Sequence, residues 1–206
     1  MSEPKAVAER AEAVVPGVWR WFVSNERLGG AESTSHAVRA AVGAVLVDPV
    51  RLAGGALAGL GSVSVICLTA QCHQRSAWRY RRELGARVYA PAGSRPTEEE
   101  PDERYAAGDE LPGGLRAIHT PGPEDAHFSF LLEREGGVLF CSDLLTHYEG
   151  RELDFVPLRY HDDSAQTRRT VEGFLDLPFA VLCLAHGSPI VDDPKAAIRA
   201  LLARTT

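Results

Sequence analysis

Side chains that could do chemistry follow four apolar runs of the sequence, at the point where each run ends. Cys72 and His73 follow the first of these runs, Glu124 the second, Asp143 the third and His186 the fourth. In layered α/β folds, functional side chains collect in the loops beyond the C-terminal ends of strands. Because imidazole, thiolate and carboxylate groups bind transition metals, these strand ends would form a metal site if they converge.

The elements that must position these residues form two strand-rich halves with helices on the outside. In the first half, we predict strands over 14–23, 62–69 and 87–90, a pair of strands over 35–48, and helices over 51–60 and 75–84. In the second half, we predict strands over 115–119, 128–132, 138–141 and 180–184, and helices over 165–175 and 193–203. We expect Gly85 to end the second helix and Ser164 to cap the third. This alternation predicts a layered α/β domain around a central pair of sheets.

Length and composition favour a single globular domain over residues 1–206, with residues 1–12 as a weakly ordered or helical leader. Hydrophobic residues make up 45% and charged residues 24% of the 206 positions, which argues against wholesale disorder. The net charge is −6 and no basic stripe occurs, so we expect no nucleic-acid partner. No window reaches the roughly 18 apolar residues of a membrane span, and no secretory signal precedes the domain. We therefore expect a cytoplasmic protein with a small-molecule ligand and no membrane partner, and leave its oligomeric state open.

The four cysteines divide into two kinds. Cys67, Cys141 and Cys183 each lie in an apolar run, which predicts buried free thiols on core strands. Cys72 lies among polar residues just after a strand.

Five segments, taken in order, resemble the metallo-β-lactamase superfamily, and in particular its small glyoxalase II-like hydrolases. They are GAVLVDP at 43–49, ICLT at 66–69, the stretch from GDEL at 108–111 to IHTPG at 118–122, FCSD at 140–143 and AHG at 185–187. The resemblance covers about residues 14–190. It implies a four-layer αββα sandwich and a metal-dependent hydrolase.

The sequence departs from the family's metal-binding pattern, which reads His-x-His-x-Asp-His after the Leu-Thr strand. An alignment without gaps places other residues at all four positions, namely Ala70, Cys72, Gln74 and Arg75. An alignment with a two-residue deletion removes the His-x-His pair and places Cys72 and His73 at Asp-His. The sequence leaves both alignments open. Pro123 stands where the family has its next histidine, and proline has no ligating atom.

Asp143 matches the family's bridging carboxylate, and His186 matches its last histidine. With the deletion, the resemblance implies that His73, Asp143, His186 and Cys72 hold at most one ion, Zn²⁺ or alternatively iron or manganese, with Asp143 and His73 as the catalytic residues. Without it only Asp143 and His186 remain, which is too few for a site. An intact dinuclear centre is not expected under either alignment.

Each of these residues also has a purely structural interpretation. Asp143 could cap a turn by accepting backbone N–H groups, and His73 and His186 could be hydrogen-bonded at strand ends. Cys72 could be a partly buried thiol, and we interpret His127 as structural. The sequence therefore leaves two functions open. One is a hydrolase of a small ester, thioester or lactone with a reduced, single-metal site. The other is a metal-free pseudoenzyme that binds a small molecule or a partner protein in the former active-site pocket.

Overall fold

The computed structural model describes residues 3–41 and 43–205, and the strands in this part of the chain form three sheets. The strands are β1 (Glu12–Val15), β2 (Val18–Asn25), β3 (Ala31–Arg39), β4 (Ala44–Val47), β5 (Val63–Cys67), β6 (Arg87–Pro91), β7 (Glu103–Tyr105), β8 (Glu110–Leu111), β9 (Leu115–His119), β10 (Phe128–Leu132), β11 (Val138–Phe140), β12 (Leu145–His147), β13 (Asp154–Phe155), β14 (Val181–Cys183) and β15 (His186–Gly187). The helices are α1 (Gly54–Gly59), α2 (Ala77–Leu84), α3 (Ser164–Gly173) and α4 (Pro194–Arg204).

Two large sheets carry most of the structure. The first has seven strands in the order β1-β2-β3-β4-β5-β6-β7, and the second has five in the order β14-β11-β10-β9-β8. The small third sheet, in the order β13-β12-β15, joins β12 in parallel to the segment that carries His186. β11 and β14 are parallel neighbours. The residues that follow these two strands therefore leave the sheet at the same edge.

Three separate apolar clusters show that these elements stack in four layers. Along β4, Val45 packs in the cluster between the large sheets, while Leu46 packs in the cluster beneath α2. Along β10, Phe130 packs between the sheets and Leu131 packs beneath α3 and α4. Because successive strand side chains point to opposite faces, such runs must be covered on both sides. The predicted four-layer αββα sandwich is confirmed.

Most helix ends lie where the sequence indicates. Gly85 ends α2 in the left-handed conformation, with φ of 70°. The cap of α3 is a correction, because Asp163 and not Ser164 accepts the hydrogen bond from the backbone N–H of Gln166. Ser164 is already the first helical residue, and the longer reach of the preceding carboxylate caps the turn.

Two segments have structure that the sequence pattern did not predict. In residues 3–11 the structure has no helix. Instead, Ala8 is buried and bridges Leu52, so this segment packs against the domain. The stretch 91–106 contains a short strand that the sequence pattern did not predict, β7, in which the Tyr105 hydroxyl donates to the Leu68 carbonyl at 2.6 Å. Both segments are held by contacts with distant parts of the chain.

The cysteine prediction is confirmed, since Cys67, Cys141 and Cys183 are buried free thiols and Cys72 is exposed. In the ranges that the structure describes, no helix has the length and apolar character needed to cross a membrane.

Candidate metal centre

Asp143 lies between two histidines that are far apart in the sequence. Its Oδ1 lies 2.8 Å from Nε2 of His186, and its Oδ2 lies 2.9 Å from Nε2 of His73. Asp143 follows β11 and His186 follows β14, so the parallel pairing of these strands brings both residues to one edge. His73 ends a short 3-10 turn after β5. Three of the four strand ends therefore converge on one carboxylate.

The second nitrogen of each histidine already has an acceptor. Nδ1 of His186 lies 2.6 Å from the backbone carbonyl of Glu32, to which it must donate. Nδ1 of His73 lies 2.9 Å from Oδ2 of Asp48. An imidazole that donates from Nδ1 carries its lone pair on Nε2, which is the arrangement found in metal-ligating histidines. Each Nε2 therefore faces Asp143 with its lone pair when the ring is neutral. When the ring is protonated, Nε2 also carries a hydrogen and donates it to Asp143.

Asp48 supports His73 in this arrangement. The sequence pattern did not identify Asp48 as functional. It is buried, and its carboxylate accepts hydrogen bonds from the backbone N–H of Thr69 at 2.8 Å and from the Thr69 hydroxyl at 2.5 Å. The available signal was the strand that closes on Asp-Pro at residues 48–49. Asp48 therefore orients His73.

The electrostatics of the site follow from these contacts. Burial alone would lower the pKa of His73, but the nearby carboxylates of Asp143 and Asp48 raise this pKa to about 9. Burial would raise the pKa of Asp143, yet His73 and His186 hold it well below its ordinary value. Asp143 is consequently ionised at neutral pH and attracts positive charge to its two oxygens.

Cys72 approaches the same carboxylate oxygen of Asp143 as His73 does. Its Sγ is 3.7 Å from Oδ2 of Asp143, a long hydrogen bond in which the thiol donates. Although the residue is exposed, its sulfur lies close to the protein interior. Partial desolvation, followed by the negative charge of Asp143, raises the thiol pKa well above its usual value. Such a thiol is a poor nucleophile, whereas a metal ion would displace its proton outright.

The donor set fits a single metal ion. One ligand atom each from Cys72, His73 and Asp143 lies within 4.8 Å of the others, and this is the one such group within residues 3–41 and 43–205. Thiolate sulfur, imidazole nitrogen and carboxylate oxygen are ordinary zinc ligands. His186, in contact with Asp143, offers a fourth.

The other residues that the two alignments place in the metal-binding pattern do not join Cys72, His73 and Asp143 as ligands. Gln74 is directed away, because its side-chain oxygen accepts from the indole N–H of Trp78 at 2.8 Å. Arg75 is buried with φ of 41°, and its Nη1 donates to the Thr34 carbonyl at 2.6 Å and to the Asp48 carbonyl at 3.0 Å. Its Nη2 lies 3.3 Å from Nε2 of His73. No sequence pattern indicated this buried cation beside the histidine.

The second strand-end loop contributes no ligand to this group. Glu124 accepts a hydrogen bond from the backbone N–H of Gln71 at 2.9 Å, which ties the two loops together. Asp125 is exposed. His127 is buried and its Nδ1 lies 2.8 Å from the Thr120 carbonyl, a contact within its own loop.

The converging residues form the floor of a cavity of about 540 Å³, which is the size of a small-molecule site. Its floor consists of Cys72, His73, Arg75, Asp143 and His186. Its walls come from the turn after β2 and from the segment between β13 and α3.

The raised pKa of His73 predicts a specific pH dependence of the metal-free chain. The unfolded pKa is about 6.5 and the folded pKa about 9, so the folded state binds more protons between these values. The stabilisation is complete below pH 6.5 and is lost as the pH rises through 9, by up to about 3 kcal/mol. Chemical unfolding in the presence of a chelator at pH 6, 7.5 and 9 measures it. The His73→Gln variant should lose this slope, and an equal slope in both proteins would contradict the assignment.

Comparison with known proteins places this geometry in context. The family model described as the metallo-beta-lactamase superfamily matches residues 55–186. No curated protein sequence matches the chain significantly.

Among solved structures, a metallo-beta-lactamase from Pontibacter korlensis superimposes with a TM-score of 0.74 at 16% identity, covering 96% of this chain and 100% of that one. A metallo-beta-lactamase family protein from Thermus thermophilus gives a TM-score of 0.69 at 23% identity, with 93% and 80% covered. One from Erythrobacter litoralis gives a TM-score of 0.69 at 16% identity, with 95% and 92% covered. At these identities, the structural matches establish the fold alone.

Proposed function

Because this chain belongs to the metallo-beta-lactamase superfamily, we propose that it is a hydrolase with a single metal ion. The ion is held by His73, Asp143, His186 and Cys72, and zinc suits this mixed set best, with iron or manganese as alternatives. The substrate is a small ester, thioester or lactone that enters the cavity above these residues.

One observation carries the proposal. The Nε2 atoms of two histidines face the two oxygens of Asp143 at 2.8 and 2.9 Å, while both Nδ1 atoms already have acceptors. Two acceptor atoms repel each other at such distances unless positive charge lies between them. Either added protons or a metal cation can supply that charge. The thiol of Cys72 beside the same carboxylate completes a set that favours the cation.

The residues of the chain have separate roles in this reaction. His73, Asp143, His186 and Cys72 would hold a zinc ion, whose contribution would be to make a water molecule an effective nucleophile near neutral pH. Asp143 stays ionised, so that its remaining lone pairs can accept a hydrogen bond from the attacking water. Asp48 and the Glu32 carbonyl keep His73 and His186 in the required tautomer. Asp143 and His73 are therefore the proposed catalytic residues.

Metal loading combined with a hydrolysis assay tests this function. Purified protein is incubated with zinc, iron or manganese, freed of excess metal and analysed for metal content. It is then assayed with 4-nitrophenyl acetate, acetylthiocholine and γ-butyrolactone. We expect about one ion per chain and a turnover that is lost on chelation and recovered on re-addition. Metal content far below one ion with all three metals, or turnover that chelator leaves unchanged, would overturn the proposal.

A second function is favoured by Arg75. Its guanidinium lies 3.3 Å from Nε2 of His73, so a permanent cation already stands next to one of the proposed ligand atoms. In a metal-free pseudoenzyme, protonated His73 and Arg75 would balance Asp143 and Asp48, and the cavity would bind a small molecule or a partner protein without turnover. Ligand binding that persists in chelator without hydrolysis supports this alternative, and chelator-sensitive turnover counts against it.

A further inference from the structure

Positive charge is concentrated around the large cavity of a chain whose net charge is −6. Three arginines line this cavity: Arg27, Arg75 and Arg159. Among the described residues that line it, Asp143 is the one carboxylate, and it is bound to His73 and His186. The cavity therefore presents more positive than negative charge to whatever enters it.

The three arginines stand at different depths. Arg75 is buried in the floor and donates to backbone carbonyls. Arg27 and Arg159 are exposed side chains of the walls. Arg27 belongs to the turn after β2, and Arg159 belongs to the segment between β13 and α3. Both side chains are therefore accessible to a ligand in the cavity.

Local structure restrains the backbone of Arg27 and the side chain of Arg159. The backbone N–H of Arg27 donates to the side chain of Asn25 at 3.0 Å, and Asn25 is itself buried and donates to Ser33. The guanidinium of Arg159 stacks over the ring of Tyr160, 4.7 Å from its centre. Its Nη2 also donates to the Tyr160 hydroxyl at 3.3 Å. A stacked guanidinium with one such bond has further N–H groups on its edge that can donate to a carboxylate.

Apolar side chains line the same cavity as the two arginines. Leu28 and Tyr160 are 44% and 58% exposed, although both line the cavity. Val156 and Pro157 line it as well. Exposed apolar side chains that line one cavity indicate contact with an apolar part of a ligand.

We propose that the cavity selects a substrate whose acyl part combines an apolar body with a carboxylate. The apolar body lies against Leu28, Val156 and Tyr160, and the carboxylate is bound by Arg27 and Arg159. This inference rests on the proposed function and narrows its substrates to monoesters or monothioesters of an apolar dicarboxylic acid and to lactones that carry an apolar group and a carboxylate. The binding site itself does not depend on turnover.

A binding experiment separates this inference from the hydrolytic activity. Calorimetry or NMR titration compares 4-phenylbutyrate with 4-phenylbutanamide, which has the same shape and no charge. Chelator is present throughout, so that the carboxylate cannot coordinate a metal ion. We expect the acid to bind at least about fivefold more tightly, and this preference to shrink as salt is added.

Matched variants identify the groups responsible. The Arg27→Gln and Arg159→Gln variants should each reduce the preference for the acid, and the double variant should abolish it while the amide binds as before. Arg82→Gln, an exposed arginine of α2 that pairs with Glu99, should leave the preference unchanged. Equal binding of acid and amide, a preference that survives in the double variant, or no binding of either compound at millimolar concentration would overturn the inference. Each result can be read whether or not the chain hydrolyses an ester.

Discussion

The Asp143→Asn variant is expected to hold far less than one metal ion per chain and to lose at least about a hundredfold in kcat/KM. The substitution keeps the size of the side chain and removes the charge that His73, His186 and Cys72 share. Loss of a residue that only supports a ligand already costs about 10- to 100-fold in affinity or activity as a rule. Loss of the residue in contact with all three other proposed ligands should cost more.

Metal analysis after zinc loading and steady-state kinetics with 4-nitrophenyl acetate measure these two effects. Asp192→Asn is the matched control, because Asp192 is exposed and lies outside the cavity. We expect its metal content and activity to equal those of the unmodified chain. A variant lacking the Asp143 carboxylate that still held one zinc ion and hydrolysed the ester normally would show that the chemistry lies elsewhere.

The Gly187→Ala variant is expected to lose about 3 kcal/mol of unfolding free energy and to bind metal more weakly. Gly187 has φ of 98°, and an added Cβ would lie 2.1 Å from the carbonyl oxygen of His147. The backbone must shift to relieve this contact. His186 is the preceding residue, so the shift moves its imidazole relative to Asp143.

Urea unfolding of the metal-free chain and zinc titration measure the two consequences separately. Gly55→Ala is the control, since Gly55 lies within α1 and an added Cβ meets no atom within 4 Å. This control should be slightly more stable than the original chain, by up to about 1 kcal/mol. Equal stability of the Gly187→Ala variant and the original chain would mean that β12 and β15 are not packed as described.

The layers of the fold could be predicted because the pattern that encodes them is local. In β4 and β10, consecutive apolar residues such as Leu46 and Val45, or Phe130 and Leu131, must be covered on both faces. A short apolar run between turn residues indicates this directly. Residues 3–11 and β7 have no such periodic pattern, and the sequence therefore did not predict their structure. They are ordered by long-range contacts such as that between Ala8 and Leu52.

The site could be predicted only in its outline. That side chains would gather at strand ends follows from the topology of layered folds, and the structure brings Cys72, His73, Asp143 and His186 together. The alignment around Cys72 could not be decided from the sequence, because it depends on which side chain turns toward Asp143. Asp48 acts across 25 residues of sequence on His73. Such a contact leaves no periodic trace.

Arg75 shows a further limit of the sequence. It is a non-glycine residue with φ of 41°, and this strained backbone directs its guanidinium back to the carbonyls of Thr34 and Asp48. The sequence predicted a helix from residue 75 onward, whereas α2 begins at Ala77. The burial of Arg75 beside His73 also gives the metal-free alternative its physical basis.

The most direct test of a single metal centre is a crystal structure of the zinc-loaded chain with anomalous data collected on both sides of the zinc absorption edge. We predict one anomalous peak, in contact with Nε2 of His73 and the carboxylate of Asp143, and bordered by His186 and Cys72. No peak at this point, with His73 and His186 still hydrogen-bonded directly to Asp143 and Arg75 beside them, would contradict the metal centre and leave the metal-free binding protein.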